Sequence, residues 1–284
     1  MRPLGIAGIL RGMRKRSFGS TGFQVPVIGQ GSWPLPDRSA LRLGIDLGMT
    51  HIDTAEMYGS GRSEEIVGEA IGPYPRSSLF LVSKVMPSNA TRAGVARACE
   101  ASLQRLRTDY LDCFLLHWRG SARLDDAMAA LEALQDAGKI RSLGVSNFDP
   151  WDLREAADAL RSARIACNQV LYNLGERTPE EHELPWAREH GSAFVAYTPL
   201  GRPKSASGEK VLRDIAARRA VTPEAVALAF LIREPLSFAI PKANTRAHVE
   251  ANATAGDLEL QTQELEAIER AYPVRPRVGA LPTN

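Results

Sequence analysis

A (β/α)8 TIM barrel is the fold that this sequence predicts, and three observations predict it. Eight short apolar runs alternate with helical patterns along the 284 residues, and such alternation marks a parallel sheet wrapped by helices. The length fits, because barrels of this class use about 250 residues as one domain. Polar residues of several kinds also stand where successive runs end, and strand C-termini form the active face of such a barrel. No linker, repeat or low-complexity tract divides the chain, so residues 13–284 are expected to be a single domain.

The strand-like runs fall at 27–31, 51–54, 79–84, 111–116, 141–146, 167–171, 193–197 and 237–241. Ahead of them, Ser17 to Phe23 reads as the turn of a β-hairpin between short strands. From Thr91 onward, Val95, Ala98, Ser102, Leu103 and Leu106 share one helical face, while Arg92, Arg97, Glu100, Gln104 and Arg107 fall elsewhere. Leu124, Met128, Leu131 and Leu134 repeat the pattern, and Gly138 ends that helix where φ > 0 is needed. Thr178-Pro179-Glu180-Glu181 reads as a helix start with a capping box, and Thr222-Pro223-Glu224 as another. Two helical patterns exceed the eightfold repeat: Pro223 to Glu234 before the last strand, and Thr262 to Tyr272 near the C-terminus.

Composition narrows the function. The content is 44% hydrophobic and 24% charged, with a formal net charge of +2. That near-balance suggests neither a nucleic-acid groove nor an acidic-membrane surface. Cys99, Cys113 and Cys167 are odd in number, lie in apolar segments and lack metal-ligand spacing. They read as core residues of a reduced, cytoplasmic protein. No apolar run approaches the roughly 18 residues of a membrane span. The N-terminal LGIAGIL precedes its basic cluster Arg11, Arg14, Lys15, Arg16, an order wrong for a secretory signal. Residues 1–12 read as a disordered extension or the product of a misplaced start codon. Gly29-Gln30-Gly31 falls short of a dinucleotide fingerprint, since Pro34 takes the third glycine's place. A nucleotide cofactor would therefore have to be held by barrel loops.

Asp53, Tyr58, Lys84 and His117 follow three consecutive strand-like runs. Each alone reads as structural: a cap, a turn aromatic, a strand-end charge, a buried imidazole. Together they form an acid-catalysis kit that an inert barrel has no reason to collect. A metal-dependent isomerase or hydrolase on the same barrel would instead gather several His and carboxylate ligands. Of five histidines only His117 follows a strand, so no metal site is expected.

The strings KRSFGSTGFQVPVIGQGSW (Lys15 to Trp33), HIDTAEMYGSGRSEEIVGEAI, LVSKV, LDCFLLHW, GKIRSLGVSNF, NQVLYN, YTPLGR and IPKANTRAHVEAN (ending at Asn252) occur in that order. In this arrangement the chain resembles the aldo-keto reductase family. The resemblance implies a hairpin plugging the barrel bottom, two extra helices, and reversible reduction of aldehydes or ketones to alcohols. It implies Tyr58 as general acid, Lys84 lowering its pKa, Asp53 holding Lys84, and His117 orienting the carbonyl.

For the nicotinamide cofactor the resemblance implies Gly31, Ser32, Asp53, Ser146, Asn147 and Gln169, with Ser146, Asn147 and Gln169 on the carboxamide. Tyr197 would stack on the ring, and Thr198, Leu200, Gly201 and Arg202 would lie along the pyrophosphate. Lys242, His248 and Asn252 would hold the adenosine end. In NADP-preferring relatives a hydroxyl residue follows the lysine, an arginine comes six positions after it, and Glu-Asn closes the stretch. Here Ala243, His248 and Ala251 depart from that pattern. NADP(H) is favoured, with NAD(H) as the alternative. Trp33 and Trp118 are placed to line the substrate mouth. The brief loop from Arg119 to Arg123 and the ending Pro273-Val274-Arg275-Pro276 suggest an open pocket. Partners are expected to be small carbonyl or alcohol substrates, with no nucleic acid and no membrane, on a monomer. The competing reading is a non-catalytic cofactor-binding regulatory subunit.

Overall fold

Alternation along each strand decides what the interior of this protein contains. In the computed structural model, which describes residues 13–201 and 205–283, Phe80 and Val82 join an inner apolar cluster while Leu81 and Val85 join an outer one. Successive side chains of a strand point to opposite faces, so Lys84 continues the inward series. The same step runs through Cys113, Leu115 and His117, through Cys167 and Gln169, and through Ala193, Val195 and Tyr197. Each inward series is apolar at the bottom and polar at the C-terminal end.

The hairpin strands β1 (Lys15–Ser17) and β2 (Gln24–Pro26) pair antiparallel. The barrel strands follow as β3 (Gln30–Gly31), β4 (His51–Asp53), β5 (Phe80–Val85), β6 (Cys113–Leu116), β7 (Leu143–Ser146), β8 (Ile165–Leu171), β9 (Ala193–Tyr197) and β10 (Ser237–Ala239). They pair in parallel in sequence order. A parallel bridge from Ile28 to Ala239, with Gly31 N donating to Pro241 O at 3.1 Å, brings the first strand against the last. Expected and observed strands agree in number and order. The runs at 111–116 and 141–146 start later than expected, because Leu111 and Ile140 form only an isolated bridge.

The hairpin closes the bottom. Phe18 packs against Phe80 at 4.7 Å and Phe238 at 5.1 Å, with His51 at 5.8 Å. Arg16 fastens the hairpin by donating to the carbonyls of Ile232 and Glu234.

The surrounding helices are α1 (Arg38–Asp46), α2 (Arg62–Ile71), α3 (Arg92–Leu106), α4 (Leu124–Asp136), α5 (Pro150–Asp158), α6 (Glu183–His190), α7 (Ala206–Arg219), α8 (Pro223–Leu231), α9 (Arg246–Ala255) and α10 (Thr262–Ala271). Side chains of Asp37, Thr91, Asp149, Ser205, Thr222 and Thr245 each cap the helix that follows. Gly138 takes φ +72 just past α4, as its position predicts.

Two expectations change. Thr178 caps no α-helix: its hydroxyl donates to Glu176, residues Thr178–Glu180 form one 3-10 turn, and α6 begins only at Glu183. The helix at Pro223 is also not the supernumerary one. α8 packs against β10 and α9 in the ring, whereas α7 packs on α8 and α10. The extra pair is therefore α7 with α10. Residues 1–12 and Arg202 lie outside the described residues. Among the described residues, no helix is long and apolar enough to cross a membrane. Cys99, Cys113 and Cys167 are buried free thiols, as their surroundings in the sequence suggest.

Candidate active site

The inward series of β4, β5 and β6 deliver their polar ends to one point. Lys84 is fully buried, and its Nζ donates to Asp53 Oδ1 at 2.5 Å and to Thr54 O at 2.9 Å. The Tyr58 hydroxyl stands 3.4 Å from the same nitrogen. Tyr58 reaches it from a short loop after β4, and its ring meets that of His117 edge-on at 5.7 Å. All four residues therefore meet.

Burial shapes their protonation. It works against the Lys84 ammonium, but Asp53 and Tyr58 outweigh it and hold the lysine above its ordinary pKa. Burial also lifts Asp53 against the downward pull of Lys84 and Gln169. Two donors on one carboxylate and a lysine held charged describe an ion pair. His117 is pushed down to about 2, by burial first and by Lys84 second, so it is a neutral imidazole near neutral pH. At Tyr58 two influences oppose each other. Lys84 does pull the phenol down, but burial is the larger effect and leaves the pKa above 10.0.

Asp53, Tyr58 and His117 open onto a cavity of about 860 Å³, within the range of small-molecule sites. Its wall also carries Gly31, Ser32, Trp33, Trp118, Asn147, Gln169, Tyr197, Thr198, Leu200, Gly201 and Lys242. Gly31 has no room for a side chain, since a Cβ there would sit 2.6 Å from Ile240 O. Ser32 is fixed by Ser63, whose hydroxyl donates to Ser32 Oγ at 2.9 Å. Trp33 is 57% exposed at the rim.

Three of the expected cofactor residues that the structure describes stand off the wall. Ser146 lies beneath it and donates to Gln169 O at 2.8 Å. His248 is exposed on α9, and Asn252 is buried on the same helix. Asn147 is on the wall, held at φ +58, a conformation asparagine tolerates better than most residues. Its amide is largely committed: Nδ2 donates to His117 O and Ser146 Oγ, and Oδ1 accepts from the Tyr197 hydroxyl at 2.8 Å. One lone pair of Oδ1 remains.

Pro199, inside the expected pyrophosphate segment, is on the wall too, as are Met57, Arg119, Ile240, Pro241 and Thr283, to which the sequence assigned no role. Met57 and Arg119 adjoin Tyr58 and Trp118, so adjacency could have found them. Thr283 had no such signal. The C-terminal segment does not stop short as expected. Arg277 pairs with the buried Glu183 at 2.7 Å, and the chain runs on to put Thr283 beside the cavity.

The donor set suits a nicotinamide dinucleotide: amides and a phenol ring by the catalytic group, glycine-lined backbone beyond, and a lysine further along the wall. The model of the aldo/keto reductase family matches residues 28–273. A methylglyoxal reductase of Escherichia coli K12, YeaE, is 44% identical over 88% of this chain and 92% of its own. A Klebsiella pneumoniae aldo/keto reductase, solved in complex with NADP and acetate, superposes with a TM-score of 0.89 at 42% identity. That match covers 96% of this chain and 100% of the other. The aldo-keto reductase Tm1743, solved with the inhibitor epalrestat, gives a TM-score of 0.86 at 35% identity, covering 91% and 100%. The chain belongs to the aldo/keto reductase family.

Proposed function

We propose that this chain is an NADP(H)-dependent carbonyl reductase, acting as a single domain over residues 13–284, with Tyr58 as its general acid. The observation that carries this reading is the buried Asp53–Lys84 pair set 3.4 Å from a phenol that opens onto the cavity. The Klebsiella pneumoniae structures with NADP and NADPH support the cofactor. Gln169, Tyr197, Thr198, Leu200, Gly201 and Lys242 would hold it.

A bound reduced nicotinamide supplies the hydride that adds to the carbonyl carbon. The chain's own task is the oxygen. Negative charge developing there needs a proton and donors aimed at it. Tyr58 gives its proton to that oxygen, and burial keeps the phenol protonated near neutral pH, so the acid is loaded for reduction. Lys84 stabilises the resulting phenolate. His117, neutral, donates one ring N–H to the carbonyl oxygen and orients it without adding a competing charge. Tyr197 offers a ring face and its neighbour Asn147 fixes that ring's hydroxyl. Trp33, Met57 and Trp118 supply an apolar rim for the substrate. In the reverse direction the phenolate is the base, so alcohol oxidation runs at higher pH.

The relationship to a methylglyoxal reductase supports small α-oxoaldehydes as the first substrates to try. The test follows NADPH absorbance across a panel of aldehydes and ketones, and NADP reduction across alcohols. Turnover in both directions is expected. Tight cofactor binding with no turnover on any member would replace this reading with that of a non-catalytic regulatory subunit.

A further inference from the structure

Gln169 and Asp53 stand on strands that face each other across the barrel: three strands intervene between β8 and β4 in either direction round the ring. Gln169 Nε2 nevertheless donates to Asp53 Oδ2 at 2.7 Å, and both side chains are all but fully buried. Asp53 therefore receives one donor on each oxygen, Lys84 from the near wall and Gln169 from the far wall. The backbone of Gln169 is itself held, since its main-chain carbonyl accepts from Ser146 Oγ at 2.8 Å and Asn147 N at 2.9 Å.

We propose that Gln169 is a positioning residue for proton transfer: by holding the second oxygen of Asp53, it sets how much of the Lys84 charge reaches the Tyr58 phenol. The inference rests on the carbonyl-reductase reading of the site. A carboxylate with a donor on each oxygen spreads its charge over both. Without Gln169 the charge gathers on Oδ1, draws the Lys84 proton toward Asp53, and weakens the cation that Tyr58 meets at 3.4 Å. The phenolate is then less stable. Alcohol oxidation, which needs the phenolate, loses rate at a given pH, while carbonyl reduction, which needs the phenol, does not lose it by this route.

The other titratable groups facing this cluster do not confuse the readout. His51 lies one inward step below Asp53 on β4, and His117 faces Tyr58 from the end of β6. Both are held neutral by burial and by Lys84. From β6 and β8 the thiols of Cys113 and Cys167 pack beneath Asp53, and Cys167 is held protonated by Cys113 and by burial. Asp53, Lys84 and Tyr58 are the groups of this cluster joined to one another by short polar contacts, and the difference between variant and wild type reads their coupling.

The test compares wild type with Gln169→Met, similar in length but without a donor, and with Gln169→Glu, which keeps the shape but loses the permanent donor. Alcohol oxidation and carbonyl reduction are each measured against pH at saturating NADP or NADPH, and cofactor Kd is titrated separately by fluorescence. In Gln169→Met the apparent pKa of oxidation is expected to rise by about one unit, tenfold in phenolate at a given pH. Reduction near neutral pH should fall by much less than oxidation. Gln169→Glu should shift the oxidation profile in the same direction, and it carries the test if Gln169→Met does not fold. An unshifted profile with a weakened cofactor Kd overturns the proposal and leaves Gln169 as a cofactor contact alone. An equal fall in both directions with no shift overturns it in favour of a merely structural role. A wild type inert on every carbonyl fails the underlying reading, a result separate from either of these.

Discussion

The Tyr58 hydroxyl and the Lys84 ammonium, 26 residues apart in the chain, stand 3.4 Å from each other above a buried carboxylate. Two influences meet at that phenol: burial raises its pKa and the ammonium lowers it, with burial the larger. On the proposed reading, such a phenol would donate a proton at neutral pH and accept one only in alkali.

Removing the proton donor should therefore disable chemistry and spare binding. Tyr58→Phe is expected to cut carbonyl reduction by roughly 10²- to 10⁴-fold with cofactor affinity nearly unchanged. Stopped-flow reduction and a cofactor titration measure the two quantities. A variant within threefold of wild type would remove Tyr58 from the mechanism.

Lys84→Met takes away the cation that opposes burial. The phenol's pKa should climb further, so the pH profile of alcohol oxidation moves to higher pH, because the phenolate must form without help. The same variant leaves Asp53 buried with only Gln169 as donor, and burial then favours its protonated form. An unchanged profile under conditions where chemistry limits the rate would break the link from Asp53 through Lys84 to Tyr58.

The barrel floor has its own pH dependence. His51 is buried among Phe18, Phe80 and Phe238, its Nδ1 has no hydrogen-bond partner, and burial pushes its pKa down to about 3. In the unfolded chain the same imidazole titrates near 6.5. Below that value the unfolded chain binds a proton that the fold refuses, so stability is intact above about pH 6.5 and is lost as pH falls toward 3. The loss is about 1.4 kcal/mol per pH unit. His51→Leu removes this dependence. Its stability deficit against wild type should shrink by about 2 kcal/mol between pH 7.5 and 5. Urea denaturation at the two pH values measures it, and a constant deficit would show that His51 is not held neutral.

The legibility of this molecule follows from the same alternation that built it. Asp53, Lys84 and His117 could be found because each ends an apolar run, and a strand end is visible in one dimension. Gln169 is likewise the polar member of an apolar strand. What could not be read is contact across the barrel. Nothing in the sequence ties Gln169 to Asp53, or Arg277 to Glu183, since each pair joins distant segments through the closed ring or its outer face. The cap at Thr178 failed for a related reason: a glutamate two residues earlier captures the hydroxyl that the helix start would have used. The net direction of the Tyr58 pKa needed burial as well as a neighbouring charge, and only the folded barrel supplies the burial.

On the proposed reading, cofactor choice depends on Lys242. The arginine position of the NADP-preferring pattern is filled by His248, which is exposed on α9 and off the cavity wall. Nearby Arg246 is paired with Glu250 at 3.1 Å, which offsets its charge. On the described wall, the other basic residue besides the histidine is Arg119, and it is already bound through two nitrogens to Glu155. Among the described residues, Lys242 is the cation that the proposal assigns to a 2′-phosphate. One charge-assisted hydrogen bond contributes roughly 1.5–3 kcal/mol, which corresponds to about a 10- to 150-fold preference. NADPH should therefore be preferred over NADH by a modest factor in this range, and Lys242→Ala should lose most of it while NADH turnover stays near wild type. The measurement is kcat/KM with both cofactors for both proteins. A wild-type preference for NADH, or undiminished NADPH selectivity in Lys242→Ala, would move the 2′-phosphate contact elsewhere.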